Sequence, residues 1–318
     1  MRDASKFGAD TTTSEVTEGI NLTGKKALVT GGSSGLGQET ARILAEKGAH
    51  VILTARDIPK GEGVADSIRS STGNPKVEVE ELELGSLASI RAFAKRFLAR
   101  HDRLDMLINN AGVMACPFGK TADGFEMQFG ANHLGHFLMT CLLVPALRKG
   151  APSRIVSVSS RGHHFSPVVF DDPNFETHPY DKWQSYGRSK TANVLFAVGL
   201  DKRLGPKGVH AYGLHPGGIM TELARHLEVA DIEMLRARNR GAGMKFKTVE
   251  AGAATQVFAA TAPELEGRGG FYLEDCQIAA VNDDPAGLNG VRSYAVDPAN
   301  ADRLWELSEK LVGERFAL

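Results

Sequence analysis

The chain has 318 residues, of which 42% are hydrophobic and 24% are charged, and its formal net charge at neutral pH is -1. This is an ordinary globular composition, so it excludes a disordered or fibrous protein. The near-zero charge leaves no positive field to hold a nucleic-acid backbone or an anionic membrane, so we expect a small molecule or another protein chain as the partner.

The amino-terminal 20 residues differ in composition from the rest of the chain. They are rich in Thr, Asp, Glu and Gly and lack the apolar segment of a signal peptide. We therefore expect a loosely ordered, flexible tail over residues 1–20. Because no later segment is rich enough in Pro, Gly and Ser to act as a linker, a single domain is predicted over residues 21–318.

Two features bear on the cellular environment. The longest apolar run, residues 134–147, contains polar residues and Pro145 and is shorter than the ~18 residues of a membrane span, so it predicts a buried helix. The three cysteines, Cys116, Cys141 and Cys276, are far apart, which argues against a disulfide framework or a thiolate metal site and predicts buried thiols in a reducing compartment. We therefore expect a cytoplasmic protein with no membrane span.

Short β-branched runs alternate with longer segments of helical period along the chain. Strands are predicted at residues 27–30, 51–55, 77–82, 106–109, 154–159 and 209–214. Helices are predicted at residues 36–47, 58–70, 86–101, 122–148 and 185–203. This repeated order predicts a single α/β domain of the Rossmann type, a doubly wound parallel sheet with helices on both faces.

The stretch TGGSSGLG, residues 30–37, lies between the first predicted strand and the first predicted helix. Such a turn aims backbone N–H groups and the positive end of the helix at one point, where a pyrophosphate binds. Its glycine spacing is wider than GxGxxG, so a tight turn with close helix packing is the alternative. The residues expected to contact a dinucleotide here are Gly31, Ser33, Ser34, Gly35, Leu36 and Gly37.

The end of the second predicted strand bears on the choice of dinucleotide. An acidic side chain here would accept from a ribose 2′-hydroxyl, whereas a basic one would pair with a 2′-phosphate. Ala55 and Arg56 stand at this place, so we expect NADP(H) to be preferred over NAD(H). Asp57 is the competing residue, because it could bind the ribose or cap the next helix.

A second group of polar residues follows the later strands. Tyr186 and Lys190 in YGRSK share a face if the segment is helical, and a nearby ammonium would lower the pKa of the phenol. Alone, such a pair is also typical of a solvated helix face. Ser160 ends a predicted central strand, and Asn132 and the NNAG run at residues 109–112 accompany the preceding one.

Together these motifs resemble the short-chain dehydrogenases/reductases, from about Leu22 to the carboxyl terminus. The stretches TARD, NHLGHF, SRGHHF, SKTANVLF, HPGGIMTEL and GGFYLEDC are most similar to the retinol-dehydrogenase and WW-oxidoreductase branch of that family. The resemblance implies a metal-free oxidoreductase that moves a hydride between a nicotinamide and a hydrophobic alcohol or carbonyl compound.

The resemblance also implies roles for individual residues. Tyr186 would exchange a proton with the substrate oxygen, and Ser160 would bind the same oxygen. Ser159 is the other candidate for the role of Ser160. Lys190 would lower the pKa of the phenol and bind the nicotinamide ribose, and Asn132 would position a water in a proton relay. Further contacts to the cofactor are implied for Glu83, Leu84, Asn110, Ala111, Gly112, Tyr186, Lys190, Pro216, Gly217 and Thr221.

Two segments depart from the motif pattern, and three others leave alternatives open. Glu83 stands where the family usually has Asp, and a long insertion precedes Tyr186, in which His163 and His164 are interpreted as loop residues. Residues 219–247 lie where the family keeps a substrate lid, although a surface helical hairpin is an equal alternative. The two predicted apolar helices, 122–148 and 185–203, could form the interface of a homodimer or be covered by the carboxyl-terminal region of the same chain.

Two other functions remain as alternatives. The first is a cofactor-binding regulator that keeps the fold without turnover, since fold alone does not fix function. The second is an enzyme similar to protochlorophyllide reductase, which Gly218 disfavours because that family characteristically has Cys after the Pro-Gly pair.

Overall fold

A computed structural model describes residues 6–238 and 246–318 of the chain. Within those residues, eight strands form one sheet. In chain order the strands are β1 Lys26–Val29, β2 His50–Ala55, β3 Val77–Glu81, β4 Met106–Asn109, β5 Ser153–Val158, β6 Val209–His215, β7 Phe271–Glu274 and β8 Gln277–Ile278. The six predicted strands are confirmed as β1 to β6.

Helices of different lengths connect and cover these strands. The α-helices are α1 Thr13–Val16, α2 Gly35–Glu46, α3 Ile58–Thr72, α4 Leu87–Arg100, α5 Met127–Phe129, α6 Gly135–Gly150, α7 Lys182–Leu204, α8 Val229–Arg238, α9 Val249–Thr261, α10 Ser293–Val296 and α11 Pro298–Val312. Short 3-10 helices span Arg161–Phe165 and Glu222–His226.

The strand order in the sheet is β3-β2-β1-β4-β5-β6-β7-β8. The pairs from β3 to β7 are parallel, and β8 is antiparallel to β7. Chain order therefore reverses between β1 and β4, and the carboxyl ends of these strands open a crevice at that point. The predicted Rossmann fold and single domain are confirmed.

Hydrophobic cores fill both faces of the sheet. Side chains of α4, α6, α7 and α11 form one core, which contains Phe93, Phe137 and Phe196. Side chains of α2, α3 and α9 form the other, which contains Ile43 and Val257. Each buried aromatic or aliphatic side chain contributes roughly 1.5–3 kcal/mol, so these two layers hold the strand ends in place.

The structure differs from the sequence prediction near the amino terminus. Residues 12–16 form a helical turn with a capping box between Thr12 and Glu15, and Val16 is fully buried in the core. Phe7 packs edge-on against Phe258 of α9. A short amphipathic segment within a polar stretch thus orders part of the expected tail, while residues 1–5 lie outside the described chain.

The predicted helix at 122–148 is also interrupted. Residues 121–126 form a turn in which Gly124 has a φ of +86°, and helical structure begins only at Met127. The Glu126 carboxylate accepts hydrogen bonds from the backbone N–H groups of Gln128 and Phe129, so it ends the turn by capping the helix. A π-helical stretch, Gly130–Leu134, then precedes α6.

Candidate active site

A cavity of about 1310 Å³ opens at the carboxyl ends of the parallel strands. Its walls come from the segments that follow β1, β2, β4, β5 and β6, which is where ligands bind in open α/β sheets. Every residue expected to contact the dinucleotide lies on this wall: Gly31, Ser33, Ser34, Gly35, Leu36, Gly37, Arg56, Glu83, Leu84, Asn110, Ala111, Gly112, Tyr186, Lys190, Pro216, Gly217 and Thr221.

The glycine-rich turn brings bare backbone to the cavity. Gly31 and Gly35 have φ values of +64° and +52°, a region that favours glycine, and a Cβ on Gly37 would collide with the carbonyl oxygen of Gly31. Ser34 is the N-cap residue of α2, yet in the described chain its side chain makes no capping hydrogen bond. The open, positive end of a 12-residue helix therefore fits a pyrophosphate.

Thr30 joins the turn to the loop after β4. Its hydroxyl oxygen accepts hydrogen bonds from the backbone N–H groups of Asn110 at 2.9 Å and Ala111 at 3.0 Å. The Asn110 side chain donates to the carbonyl oxygen of Thr30 at 2.8 Å. Sequence reasoning singled out Asn110 and Ala111 but missed Thr30, whose only signal was its place at the head of TGGSSGLG.

Two cations and a carboxylate follow β2, and a second carboxylate reaches them from the segment after β3. Arg56 is exposed and lies 3.7 Å from the Glu83 carboxylate, whose other oxygen accepts from the Gly85 N–H. Asp57 is the N-cap residue of α3 and accepts from the Lys60 N–H at 3.0 Å. Asp57 could bind the ribose or cap the next helix, and in this structure it caps α3. Lys60 also lines the cavity, a position that sequence reasoning missed.

Tyr186, Ser160 and Lys190 meet in the same cavity. The hydroxyls of Tyr186 and Ser160 share a hydrogen bond, and the Ser160 oxygen also accepts from the Gly162 N–H at 3.0 Å. Lys190 lies one helical turn from Tyr186, with its Nζ 5.6 Å from the centre of the phenol ring. This ammonium donates to the carbonyl oxygen of Val158 at 3.1 Å. The pair is buried, which rules out a solvated helix face.

The pKa of Tyr186 departs from the sequence expectation. We expected Lys190 to lower it, but burial raises it to about 12, although the hydrogen bond with Ser160 acts in the opposite sense. Burial also lowers the pKa of Lys190 to about 8. The expected lowering of the phenol pKa is wrong for this structure, because desolvation outweighs the hydrogen bond with Ser160.

Ser159 and Asn132 are both buried but take different positions. The Ser159 hydroxyl donates to the carbonyl oxygen of Lys190 at 2.7 Å, so it stabilises α7, while Ser160 is the serine that meets Tyr186. The Asn132 side chain exchanges hydrogen bonds with the backbone of Val113 and donates to the Ser189 hydroxyl at 3.0 Å. These contacts place Asn132 behind the cavity wall, where it holds the loop after β4.

Apolar side chains also line the cavity. Phe165 comes from the 3-10 helix Arg161–Phe165, Trp183 from α7, and Ile232 and Leu235 from α8. These residues were not predicted as site residues, although Ile232 and Leu235 fall within the predicted lid at 219–247. Residues 239–245 of that lid lie outside the described chain.

A buried carboxylate holds α8 against the start of α7. Asp231 accepts from Lys182 Nζ at 2.7 Å and from Trp183 Nε1 at 3.0 Å. Burial is the largest single effect and disfavours its ionisation, but the hydrogen bonds from Lys182, the Glu228 N–H and Trp183 together outweigh it, so the pKa of Asp231 is lower than usual. The apolar side chains of α8 are therefore fixed over the cavity.

The two histidines of the insertion lie close to the site without forming a metal centre. His163 is buried in the 3-10 helix, and His164 hydrogen-bonds with the carbonyl oxygen of Gly290 at 3.0 Å. Across residues 6–238 and 246–318, no cluster of three or more His, Cys, Asp or Glu side chains could hold a metal ion. No helix in those ranges is both long and apolar enough to cross a membrane.

Comparison with known proteins places the fold and the motifs in one family. The family model for short-chain dehydrogenases matches residues 25–231. The chain is 44% identical to mouse (Mus musculus) retinol dehydrogenase 11 over 297 residues, which are 93% of this chain and 89% of that protein. It is 43% identical to a short-chain dehydrogenase/reductase, prx1, from Penicillium roqueforti, with 92% and 86% coverage.

Solved structures agree with these relatives. An uncharacterized protein from Mycobacterium paratuberculosis is 32% identical with a TM-score of 0.72, and the match covers 100% of this chain and 99% of that one. The NADP complex of Pseudomonas aeruginosa RhlG is 27% identical with a TM-score of 0.63, over 80% and 95% of the two chains. This chain therefore belongs to the short-chain dehydrogenase family, in the branch that contains the retinol dehydrogenases.

Proposed function

We propose that this protein is an NADP(H)-dependent oxidoreductase that interconverts a hydrophobic alcohol and its carbonyl compound. The observation that carries the proposal is the hydrogen-bonded pair of Tyr186 and Ser160, which faces the same cavity as the uncapped amino end of α2. A proton carrier and a dinucleotide site in one cavity are the two parts that this reaction requires.

Each side chain has a defined task in this proposal. A bound nicotinamide supplies or accepts the hydride. Tyr186 donates a proton to the carbonyl oxygen, and its raised pKa keeps it protonated at neutral pH for that step. Ser160 hydrogen-bonds the same oxygen, where negative charge develops. Lys190, with a pKa of about 8, is mostly charged at neutral pH and binds the ribose hydroxyls.

The NADP preference rests on the charges after β2. Arg56 and Lys60 both line the cavity there, and a 2′-phosphate is recognised by such cations. The Asp57 carboxylate is engaged as a helix cap, which leaves it turned to its own backbone rather than to a ribose diol. A structural neighbour that binds NADP supports the same choice.

The substrate class follows from the apolar side chains that line the cavity. Phe165, Trp183 and Ile232 would surround the carbon skeleton, while Tyr186 and Ser160 would hold the reacting oxygen. Relatives at 44% identity are named retinol dehydrogenases, and retinol is an apolar primary alcohol of this kind. We propose bulky apolar alcohols and aldehydes or ketones as substrates.

The Tyr186→Phe variant tests the chemistry. We expect carbonyl reduction by NADPH to be abolished, while NADPH binding measured by calorimetry stays within about twofold of the wild type. Tyr272→Phe is the matched control, because Tyr272 is a buried phenol outside the cavity wall. Equal turnover by Tyr186→Phe and wild type would contradict the proposal. A wild-type protein that binds NADPH but turns over no alcohol or carbonyl compound would indicate a silent regulator.

The Arg56→Ala variant tests the cofactor. We expect its affinity for NADPH to fall by about tenfold or more, because a charge-assisted contact to the 2′-phosphate is lost. Affinity for NADH should change by less than about twofold, which makes NADH the internal control. An equal loss for both cofactors would contradict the 2′-phosphate role of Arg56.

A further inference from the structure

A partly exposed ion pair lies on the cavity wall. Lys60, in the first turn of α3, lies 3.0 Å and 3.2 Å from the two carboxylate oxygens of Glu222. Glu222 opens the 3-10 helix that follows the HPGG segment, and both side chains line the cavity. Two parts of the cavity wall that are distant in sequence are therefore joined by this pair.

The same carboxylate reaches the glycine-rich turn. Glu222 hydrogen-bonds with Ser34, the residue immediately before α2. Its partners are thus a lysine ammonium, a serine hydroxyl and the nearby positive end of a helix. This is the donor set that protein sites present to phosphate oxygens.

The place of Lys60 identifies which phosphate this subsite would receive. Lys60 and Arg56 both follow β2, and the residues after the second strand of this fold face the adenosine ribose. Arg56 is paired with the Glu83 carboxylate, just as Lys60 is paired with the Glu222 carboxylate. A 2′-phosphate would therefore meet two cations, each already accompanied by a carboxylate.

We propose that Glu222 is an internal anion that occupies the 2′-phosphate subsite and that NADP(H) displaces it from Lys60. This inference rests on the proposed function and adds two elements to it. Lys60 is a second determinant of NADP preference beside Arg56. Glu222 is a competitor whose release frees the segment leading to α8 when the cofactor binds.

The release has a structural consequence for the lid. Glu222 is followed by Leu223, which lines the cavity, and the 3-10 helix leads directly toward α8. While Glu222 is paired with Lys60, this segment is fixed to α3. Once a phosphate takes Lys60, the segment loses this link to α3, so cofactor binding is coupled to the position of the substrate wall.

The exposure of the Lys60–Glu222 pair determines how much its removal should change the affinity for NADPH. The side chains of Lys60 and Glu222 are 45% and 63% exposed, so water screens their attraction. Such a contact is weak enough for a phosphate dianion to displace. We expect its removal to tighten NADPH binding by about two- to fivefold, as for an exposed ion pair.

The experiment compares dissociation constants for NADPH and NADH by calorimetry in four proteins. Glu222→Gln removes the charge but keeps the size of the side chain, and Lys60→Gln removes the cation. Glu228→Gln is the matched control, because it makes the same charge change on the same segment outside the cavity wall. The wild type provides the reference.

We expect Glu222→Gln to tighten NADPH but leave NADH within about twofold, and Lys60→Gln to weaken NADPH by about tenfold. Glu228→Gln should match the wild type. Unchanged NADPH affinity in Glu222→Gln would overturn the proposal, and equal tightening for NADH would overturn the assignment to the 2′-phosphate. A wild type that binds neither cofactor would instead contradict the proposed function itself.

Discussion

At the scale of single residues, the position of the Tyr186 phenol depends on the absence of a side chain at Gly162. A Cβ added to Gly162 would lie 2.5 Å from Cε1 of the Tyr186 ring and 3.3 Å from the Ser160 hydroxyl oxygen. The Gly162 N–H also donates to that oxygen. One glycine therefore fixes both the ring and the serine that hydrogen-bonds with it.

Gly162→Ala should consequently reduce catalysis more than cofactor binding. We expect kcat for carbonyl reduction to fall by about tenfold or more, because displacement of a catalytic group by a fraction of an ångström is costly. NADPH affinity should stay within about twofold, since the glycine-rich turn is untouched.

Steady-state kinetics and calorimetry on Gly162→Ala and on Gly63→Ala measure this difference. A Cβ at Gly63 would meet open space on α3, so this control should keep the wild-type kcat. Wild-type turnover in Gly162→Ala would show that the phenol position does not depend on this contact.

Residue types in order along the chain were sufficient to predict that Tyr186, Ser160 and Lys190 meet in the cavity, whereas Asn132 lies behind its wall. Tyr186 and Lys190 could be found because helical spacing puts them on one face. Lys60, Gly162 and Thr30 were missed because their importance depends on distances across the fold. The raised pKa of Tyr186 was missed for a related reason, because the five-residue motif YGRSK does not show whether the phenol is buried.

At the scale of elements, α8 is positioned by one buried carboxylate. Asp231 hydrogen-bonds with the Lys182 ammonium and the Trp183 indole, one turn before Tyr186 on α7. The same helix presents Ile232 and Leu235 to the cavity. This wall of the cavity is thereby tied to the helix that carries Tyr186.

Asp231→Asn should loosen this wall while leaving the dinucleotide end intact. We expect KM for an apolar substrate to rise by about three- to tenfold, with little change in NADPH affinity, because a buried charge pair loses its partner. Asp302→Asn breaks another Lys–Asp pair with a 2.7 Å separation, between α7 and α11, and serves as the control. Parallel changes in the two variants would argue that α8 has no special role.

Three elements that sequence reasoning missed, α9, β7 and β8, show no readable period in the sequence. Every residue from Ala251 to Ala260 of α9 is buried, so the helix has no polar face and therefore no helical period in its sequence. The strands β7 and β8 have four and two residues, too short for a pattern. By contrast, α2 was predicted closely because only one face is apolar.

At the scale of the whole molecule, the carboxyl-terminal helix α11 covers α6 and α7, the apolar helices that could have formed a homodimer interface. Trp305 of α11 packs against Phe137 of α6 and Phe196 of α7, and the Ser308 hydroxyl hydrogen-bonds with His133. The structure therefore shows the second alternative from the sequence, in which the chain's own carboxyl-terminal region covers these two helices.

Buried histidines make the stability of the whole molecule sensitive to acid. Burial lowers the pKa values of His133 and His163 to about 3, and those of His136 and His164 to about 4. Between pH 6.5 and 4.5 the unfolded chain binds protons that the folded chain does not, so stability falls as pH falls. Glu126 and Glu274, whose pKa values burial raises, act in the opposite sense.

We expect the free energy of unfolding to decrease by about 1.4 kcal/mol per pH unit for each histidine that takes up its proton only on unfolding. Urea titrations at pH 7.5, 6.5, 5.5 and 4.5 measure this slope. His133→Gln should be less stable at pH 7.5 but show a shallower decline below pH 6.5. The same slope in both proteins would assign the acid sensitivity to other groups.

The central claim is that a buried phenol, paired with a serine and a lysine, exchanges a proton with a substrate held beside a nicotinamide. A crystal structure of the protein with NADP⁺ tests this most directly. We expect the pyrophosphate on the turn from Gly31 to Gly37 and the reactive carbon of the nicotinamide facing the Tyr186 hydroxyl across the space for a substrate oxygen. A nicotinamide bound away from Tyr186, with that hydroxyl turned from the ring, would contradict the account.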